Sequence, residues 1–304
     1  MRKTFFTFLL LVFSAAMQAQ TAASDEETSG GATAQETDSV AVCSWFCVGD
    51  TVEYRMSSVA AEIVGNDTTV TESTRNEFMV CVTDSTKKGY ELEYRLQDVF
   101  SSDTTSMRGI ISLQKARLGI GQRVKVAISE TGVIQRITNE KELYKKSLAD
   151  MQQTVDRLYE QIPLLVGKIS RQDMKKQLKE KLDTIFASHE NLINQYYGLK
   201  LLFNNHGKIF PTGETEDDTD GYHITVSVTK GKLEDETDTT DDDYEIYYKL
   251  TEPEANGQQT NYYYDYTYFP DGWPRSVLVT ILEKQGEKTL LTQMAINWLS
   301  KAWK

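Results

Sequence analysis

The most distinctive candidates for chemistry in this chain are tyrosines near its C-terminal end. Four of them occupy every second position of one stretch, and two more repeat that spacing in the stretch before it. Side chains two residues apart share one face of a β-strand, so each set predicts an aromatic sheet face. A tyrosine ring with its polar tip suits the binding of sugars, peptides or lipids, and it also suits simple packing against a helix. The candidate ligand-binding residues are Tyr244, Tyr248, Tyr262, Tyr264, Tyr266 and Tyr268.

Three cysteines form the second group that could carry chemistry. In an oxidising compartment we expect a disulfide, which leaves one thiol over. If a turn at residues 65–67 joins two paired strands, Cys81 lies opposite about Val52, only a few residues from Cys47. A Cys47–Cys81 bridge is therefore feasible, and Cys43–Cys47 is the competing local pair. Nothing around these residues indicates a catalytic thiol or zinc-ligand spacing.

The histidines do not fall into a known catalytic pattern. His206 follows the predicted helices in a sequence typical of a helix end, and His223 opens a predicted strand. The nucleophile-elbow, zinc-protease and Gly-rich phosphate-loop motifs do not occur. We therefore assign no catalytic residue, no metal ligand and no cofactor, and a hydrolase site assembled from scattered residues stays an alternative.

The charge of the chain is strongly negative. There are 45 acidic against 33 basic residues, a net charge of −12. Such a surface repels phosphate backbones, so nucleic acid is not an expected partner. Two acidic clusters, 214–220 and 234–243, flank one predicted strand. The first resembles half of a calcium loop, but Ser227 stands where the closing glutamate belongs, so we interpret both as solvated loops.

Strands must position most of these residues. Apolar and polar residues alternate through 50–138 and again through 221–298, with turn residues between the runs. This pattern predicts antiparallel strands on both sides of a helical region. The last run, 289–298, is compatible with either a strand or a short terminal helix.

The helical region is 139–205. Two apolar stripes with alternating spacings of four and three residues are separated by a break that contains Pro163 and ends at Ser170, a candidate N-cap. His189 interrupts the second stripe, and we expect it to make a buried polar contact. The predicted fold is α+β: an antiparallel sheet, curved or half-barrel in shape, with a two-helix hairpin inserted between two strand-rich halves.

The N-terminus predicts an exported protein. Residues 1–19 combine a basic start, a short apolar run and small residues before a cleavage site, as in a signal peptide. Residues 20–42 are rich in Ser, Thr and acidic residues, which is typical of a disordered tether. One folded domain, 43–304, then follows. No lipid-attachment cysteine and no membrane-spanning run are seen, so we expect a periplasmic or secreted protein.

Two resemblances add to this interpretation. The layout of signal, acidic tether, strands, helical pair and strands resembles uncharacterised secreted proteins of similar length from Bacteroidetes, an architectural likeness that brings no functional residues with it. Several tripeptides also resemble the general O-glycosylation acceptor of those bacteria, an Asp followed by Ser or Thr and a small, aliphatic or Thr residue. The candidate acceptors are Ser39, Thr68 and Thr104.

Three functional hypotheses follow from the sequence. The first is a non-catalytic binding or carrier protein for a small molecule, a lipid or a glycan, held at the tyrosine face. The second is the hydrolase with scattered residues. The third is an envelope assembly protein that uses the helical hairpin as its contact surface. The sequence does not indicate the identity of the ligand or the oligomeric state.

Overall fold

The structure is a computed structural model that describes most of the chain from residue 38 onward. The predicted signal peptide, most of the predicted tether and Thr104 lie outside the described residues. Those residues are 38–103, 119–161, 169–219, 221–231, 242–254 and 258–302, together with positions 113, 117, 167 and 240.

The described part of the chain contains thirteen strands, and eleven of them form one antiparallel sheet. The strands are β1 Ser39–Ala41, β2 Thr51–Val64, β3 Asp67–Thr86, β4 Gly89–Ser101, β5 Arg123–Ile128, β6 Ile134–Ile137, β7 Ile209–Pro211, β8 Gly213–Thr219, β9 Tyr222–Lys230, β10 Tyr244–Thr251, β11 Gln258–Tyr268, β12 Pro274–Gln285 and β13 Lys288–Ala302. The sheet order is β6-β5-β4-β3-β2-β13-β12-β11-β10-β9-β8. Because β6 and β8 lie at opposite edges, the sheet is open.

The first and last long strands join the two strand-rich halves into this one sheet. Strand β13 pairs with β2 along its whole length, from Lys288 opposite Val64 to Ala302 opposite Thr51. The C-terminal run is therefore a strand and not a helix. Its alternation explains this outcome, since Met294 and Ile296 are buried while Asn297 is exposed.

Four helices lie between β6 and β7 in the described residues: α1 Glu140–Gln161, α2 Arg171–Ile185, α3 His189–Gln195 and α4 Tyr197–Leu202. The sequence predicted two. Ser170 is the N-cap of α2 as predicted, and its Oγ accepts a hydrogen bond from the Asp173 amide at 3.0 Å. The second predicted helix is divided because Ser188 starts a new one, with its Oγ accepting from the Asn191 amide at 3.1 Å.

Helices α1 and α2 contact each other along their length. Near the end of α1, Val155, Leu158 and Tyr159 form a small apolar cluster with residues at the start of α2. At the other end, the Tyr144 hydroxyl donates to Asp183 at 2.7 Å. None of the described residues of α2 is buried, so this helix lies at the outside of the molecule.

One face of the sheet carries the main core. Alternate residues of the central strands point to this face. They form one continuous apolar cluster that extends across the sheet from β6, through the adjacent strands β2 and β13, to β9. The covering layer includes the β1–β7 pair and the chain around Phe46, whose ring stacks on Trp273 at 4.1 Å. The edge strand β8 is acidic and exposed, which disfavours pairing with another chain.

The start of the folded region differs from the prediction. Residues 39–41, which composition placed in the tether, form β1 and pair with β7. Val40 and Val42 are buried, because they alternate with exposed neighbours and fill the covering layer. Within the described ranges, no helix combines the length and apolar character needed to cross a membrane.

Candidate functional site

The six tyrosines proposed as a ligand-binding face lie inside the core. Each is at most 6% exposed, and they share the covered face of β10 and β11, as their alternation predicted. The covering residues come from the chain after α4: the Tyr248 hydroxyl donates to Asn205 at 2.9 Å, and Phe210 meets the Tyr248 ring edge-on. Burial raises the pKa of Tyr266 well above its ordinary value, so its hydroxyl stays protonated. In this structure, the set packs the core and is not open to a ligand.

An apolar cavity lies elsewhere, between the helices and the first half of the sheet. Its volume is about 480 Å³. Strands β2 to β5 form its floor, helices α1, α2 and α3 form its roof, and the junction of α3 and α4 closes one end. None of the six tyrosines lines it.

A β-bulge shapes the floor of this cavity. The pairing of β3 with β4 shifts register between Glu77 and Phe78. Along β4 the inward positions therefore change phase, so that Leu96 and Val99, three residues apart, both line the cavity. Without the shift, strict alternation would turn one of them to the opposite face.

Helical spacing builds the roof. Leu178, Lys181, Leu182 and Ile185 follow one another at intervals of three, one and three residues along α2, and α1 adds Met151 with Ser147 one turn before it. These are residues of the two predicted stripes and their neighbours. Met151, Leu182 and Ile185 of the stripes therefore line the cavity, whereas Val155 and Leu158 pack against the start of α2.

Two tyrosines that sequence analysis did not select form a wall of the cavity. The rings of Tyr94 and Tyr196 meet edge-on, with centroids 5.6 Å apart. Burial raises the pKa of Tyr196 to about 12, so both hydroxyls are neutral at ordinary pH. At the end of the cavity formed by α4, Gly198 packs against the sheet: a Cβ placed there would lie 3.4 Å from Met56 and from Phe78.

The chemistry of the lining is simple. Most of its described residues are aliphatic or aromatic, and the polar ones are amides, one serine hydroxyl, the tyrosine hydroxyls and a single ammonium group. No Asp, Glu, His or Cys is among the lining residues that the structure describes. The cavity can thus enclose apolar groups, and its described lining residues include no carboxylate or imidazole that could act as a general acid or base.

His206 lies in the core and not in a cleft. It is 2% exposed, and because a carbonyl only accepts, its Nε2–H donates to the Gly272 oxygen at 3.0 Å. The rings of Phe46, Phe203 and Tyr268 surround it. Burial lowers the pKa of His206 to about 3, against a partial opposing effect of the Gly272 hydrogen bond. The residues around His206 predicted a helix end, and its burial was not predicted from them.

Three carboxylates near one end of the sheet have structural partners. Asp271 pairs with Lys301 at 3.0 Å, and burial lowers the pKa of Lys301 to about 8. Asp243 pairs with Arg275 at 3.5 Å, while Asp50 accepts a hydrogen bond from the Cys47 amide at 2.8 Å. The Arg275 guanidinium also lies over the Phe269 ring at 4.7 Å. These contacts stabilise the packing of the covering chain and of β13 against neighbouring parts of the sheet.

His189 does not make the buried contact expected of it. It is exposed at the start of α3, and its Nδ1 lies 2.5 Å from Glu140 of α1. The break at Ser188 turns it out of the stripe. His223 is also exposed, with Nδ1 3.0 Å from Asp218. In the described residues, no three His, Cys, Asp or Glu side chains are grouped as a metal site.

The three cysteines are unbridged in this structure. Cys81 lies opposite Thr51, one residue from the predicted position, and the Gly49 amide donates to the Val82 carbonyl at 2.8 Å. The Cys47–Cys81 bridge stays a prediction for the oxidised protein. Of the candidate glycosylation acceptors, Ser39 and Thr68 are exposed on strands, and Thr104 falls outside the described residues; their modification also stays a prediction.

Comparison with known proteins gives no functional assignment. No protein-family profile and no curated protein matches the chain. A solved structure from work on lipid–protein interactions in lipovitellin matches with 10% identity and a TM-score of 0.42. The match covers 85% of this chain and 26% of the lipovitellin chain, so this chain spans about a quarter of that protein.

A second solved structure is an outer membrane channel from Pseudomonas putida F1. It matches with 7% identity and a TM-score of 0.15, covering 90% of this chain and 100% of that one. Both likenesses are too low to support an argument about function. The chain is only distantly similar to lipovitellin and to this channel.

Proposed function

We propose that this protein is a non-catalytic binding or carrier protein that holds an apolar ligand beneath its helices. The observation that carries the proposal is the cavity of about 480 Å³ with its mainly apolar lining. Small-molecule sites in proteins commonly measure about 300–1,000 Å³ and are lined in the same way, with a few polar groups for orientation.

The composition of the lining favours an apolar ligand over a glycan. A sugar presents hydroxyl groups on every side, and each one that is buried needs a hydrogen-bond partner. The walls formed by Leu96, Val99, Leu182 and Ile185 supply none. An acyl chain needs none, and each buried methylene stabilises the complex by about 0.8 kcal/mol before the cost of ordering the ligand.

The helical pair supports this proposal as a cover for the cavity. Helix α2 has no buried residue of its own, and its apolar side chains are only half-buried over the cavity. Its firmest contacts are with α1, through the Val155 cluster and through Asp156, which binds Lys175 at 2.8 Å. Because α2 buries so little against the sheet, it can move away from the sheet to admit a ligand. The signal peptide predicted from residues 1–19 supports a location for such a carrier in the periplasm or outside the cell.

The experiment is to fill the cavity from its roof. Ser147→Trp places a large side chain into the space without breaking α1, and it is expected to weaken binding of the neutral dye Nile red by at least about tenfold. Gln152→Trp, exposed on the same helix, is the matched control and should bind as the wild type does. Equal fluorescence enhancement by both variants would show that the dye does not enter this cavity.

A further inference from the structure

The exposed lining residues of the cavity include polar ones, whereas most of its buried lining residues are apolar. Lys181 and Gln195 are exposed, whereas Tyr94, Val124 and Leu192 are buried. Lys181 is the one charged residue among the described lining residues. A ligand that matches this arrangement has an apolar body and a polar group at one end.

Lys181 differs from two neighbouring lysines of α2, Lys175 and Lys179. Lys175 is paired with Asp156 at 2.8 Å, and Lys179 is paired with Asp183 at 2.7 Å. For Lys181, no carboxylate lies within 4.0 Å among the residues that the structure describes. Its ammonium group is therefore available among the exposed lining residues, with its methylene stem beside Leu178 and Leu182.

The negative net charge of the chain makes a positive group at Lys181 important for binding an anionic ligand. The chain carries a net charge of −12, so its general field repels an anionic ligand. Recognition of an anion must come from a local contact, and the Lys181 ammonium beside a mainly apolar cavity supplies one. A charge-assisted hydrogen bond from an ammonium to a carboxylate is about twice as strong as a neutral one.

We propose that the ligand is a single-chain fatty acid, with its hydrocarbon tail in the cavity and its carboxylate at Lys181. This inference rests on the proposed function and adds the chemical class of the ligand and the residue that selects it. Lys181 acts as a specificity-determining residue: it distinguishes an acid from an uncharged lipid with the same tail.

The test compares lauric acid with methyl laurate as competitors for Nile red in the mature full-length chain. Lys181→Gln is expected to weaken displacement by lauric acid about 5- to 10-fold and to leave methyl laurate unchanged, with Lys181→Glu weakening the acid further. Lys176→Gln removes the same charge from an exposed position of α2 outside the cavity and is the control.

The outcomes distinguish the fatty-acid proposal from the carrier function on which it rests. If the wild type binds acid and ester equally and Lys181→Gln changes neither, the headgroup assignment is overturned while the carrier function stands. If the wild type binds neither compound nor Nile red, the carrier function itself is overturned. Loss of the acid alone in Lys181→Gln, with Lys176→Gln unchanged, supports both.

Discussion

The burial of His206 makes the stability of this protein depend on pH in a defined way. The native state resists protonation because the ring is enclosed by aromatic side chains, and burial lowers its pKa from 6.5 to about 3. In the unfolded chain the ring takes up a proton near pH 6.5. The unfolded state thus binds more protons below that pH, so the contribution of His206 is fully present above about pH 6.5 and is lost as the pH falls towards about 3.

The size of this effect follows from the linkage between proton binding and folding. Each pH unit below the unfolded pKa lowers the free energy of unfolding by about 1.4 kcal/mol, until the native ring is also protonated. Between pH 6.5 and pH 4 the loss due to His206 is therefore about 3 kcal/mol. That is a large part of the roughly 5–15 kcal/mol that stabilises an ordinary domain.

Urea unfolding at a series of pH values measures this effect. Carboxylates also weaken the fold in acid, so the informative quantity is the difference between the wild type and His206→Gln, which keeps an amide donor for the Gly272 carbonyl. The advantage of the wild type should shrink by about 1.4 kcal/mol per pH unit below pH 6. His223→Gln, on the exposed edge, is the control, because it removes a histidine without touching the enclosed ring. A profile for His206→Gln that runs parallel to that of the wild type would refute the enclosure of this ring.

Two further predictions concern the layer that covers the sheet. Gly132 has a φ of 92°, and a Cβ there would overlap His206 and Ser44, so Gly132→Ala should lower the free energy of unfolding by about 3 kcal/mol or more in urea. Gly65→Ala, at φ 59° with open space around it, should cost only about 1 kcal/mol, and equal losses would contradict the packing at Gly132. Asp243→Asn should lower it by about 3 kcal/mol because it removes the carboxylate charge from the buried ion pair with Arg275; an unchanged urea midpoint would contradict this contribution of the pair.

Much of the fold could be predicted from the sequence because local periodicity encodes it. The alternation around Tyr264 and Val226 predicted strands, and the stripe through Val155 predicted a helix. The N-cap at Ser170 was visible for the same reason, since capping is a property of neighbouring residues. Ser188 offers an equal cap signal, which could have shown that the second stripe is divided.

The pairing of β2 with β13 could not be predicted, because strands far apart in sequence carry no mark of their partners. The tyrosine face shows the same limit. Its residues do share a face, but whether that face is open depends on Asn205 and Phe210, which reach it from a distant part of the chain. Alternation alone describes a face and not what covers it.

The cavity depends on features that periodicity does not reveal. A bulge at Glu77–Phe78 brings Leu96 and Val99 to the same side, and Gly198 of α4 lies close to Met56 and Phe78 at the far end. Tyr94 and Tyr196 become a wall only through this arrangement. One signal was available, since Lys181 directly precedes Leu182 of the second apolar stripe, where a charged side chain has to emerge at the edge of the buried face.

The most direct test of the central claim is a crystal structure of the protein with a fatty acid that carries bromine at the end of its tail. The account predicts an anomalous peak for the bromine inside the cavity, near Tyr94 and Leu192, and density for the carboxylate at Lys181. A peak on another surface, or an empty cavity at a ligand concentration that saturates the protein in solution, would contradict the claim that this protein carries an apolar ligand beneath its helices.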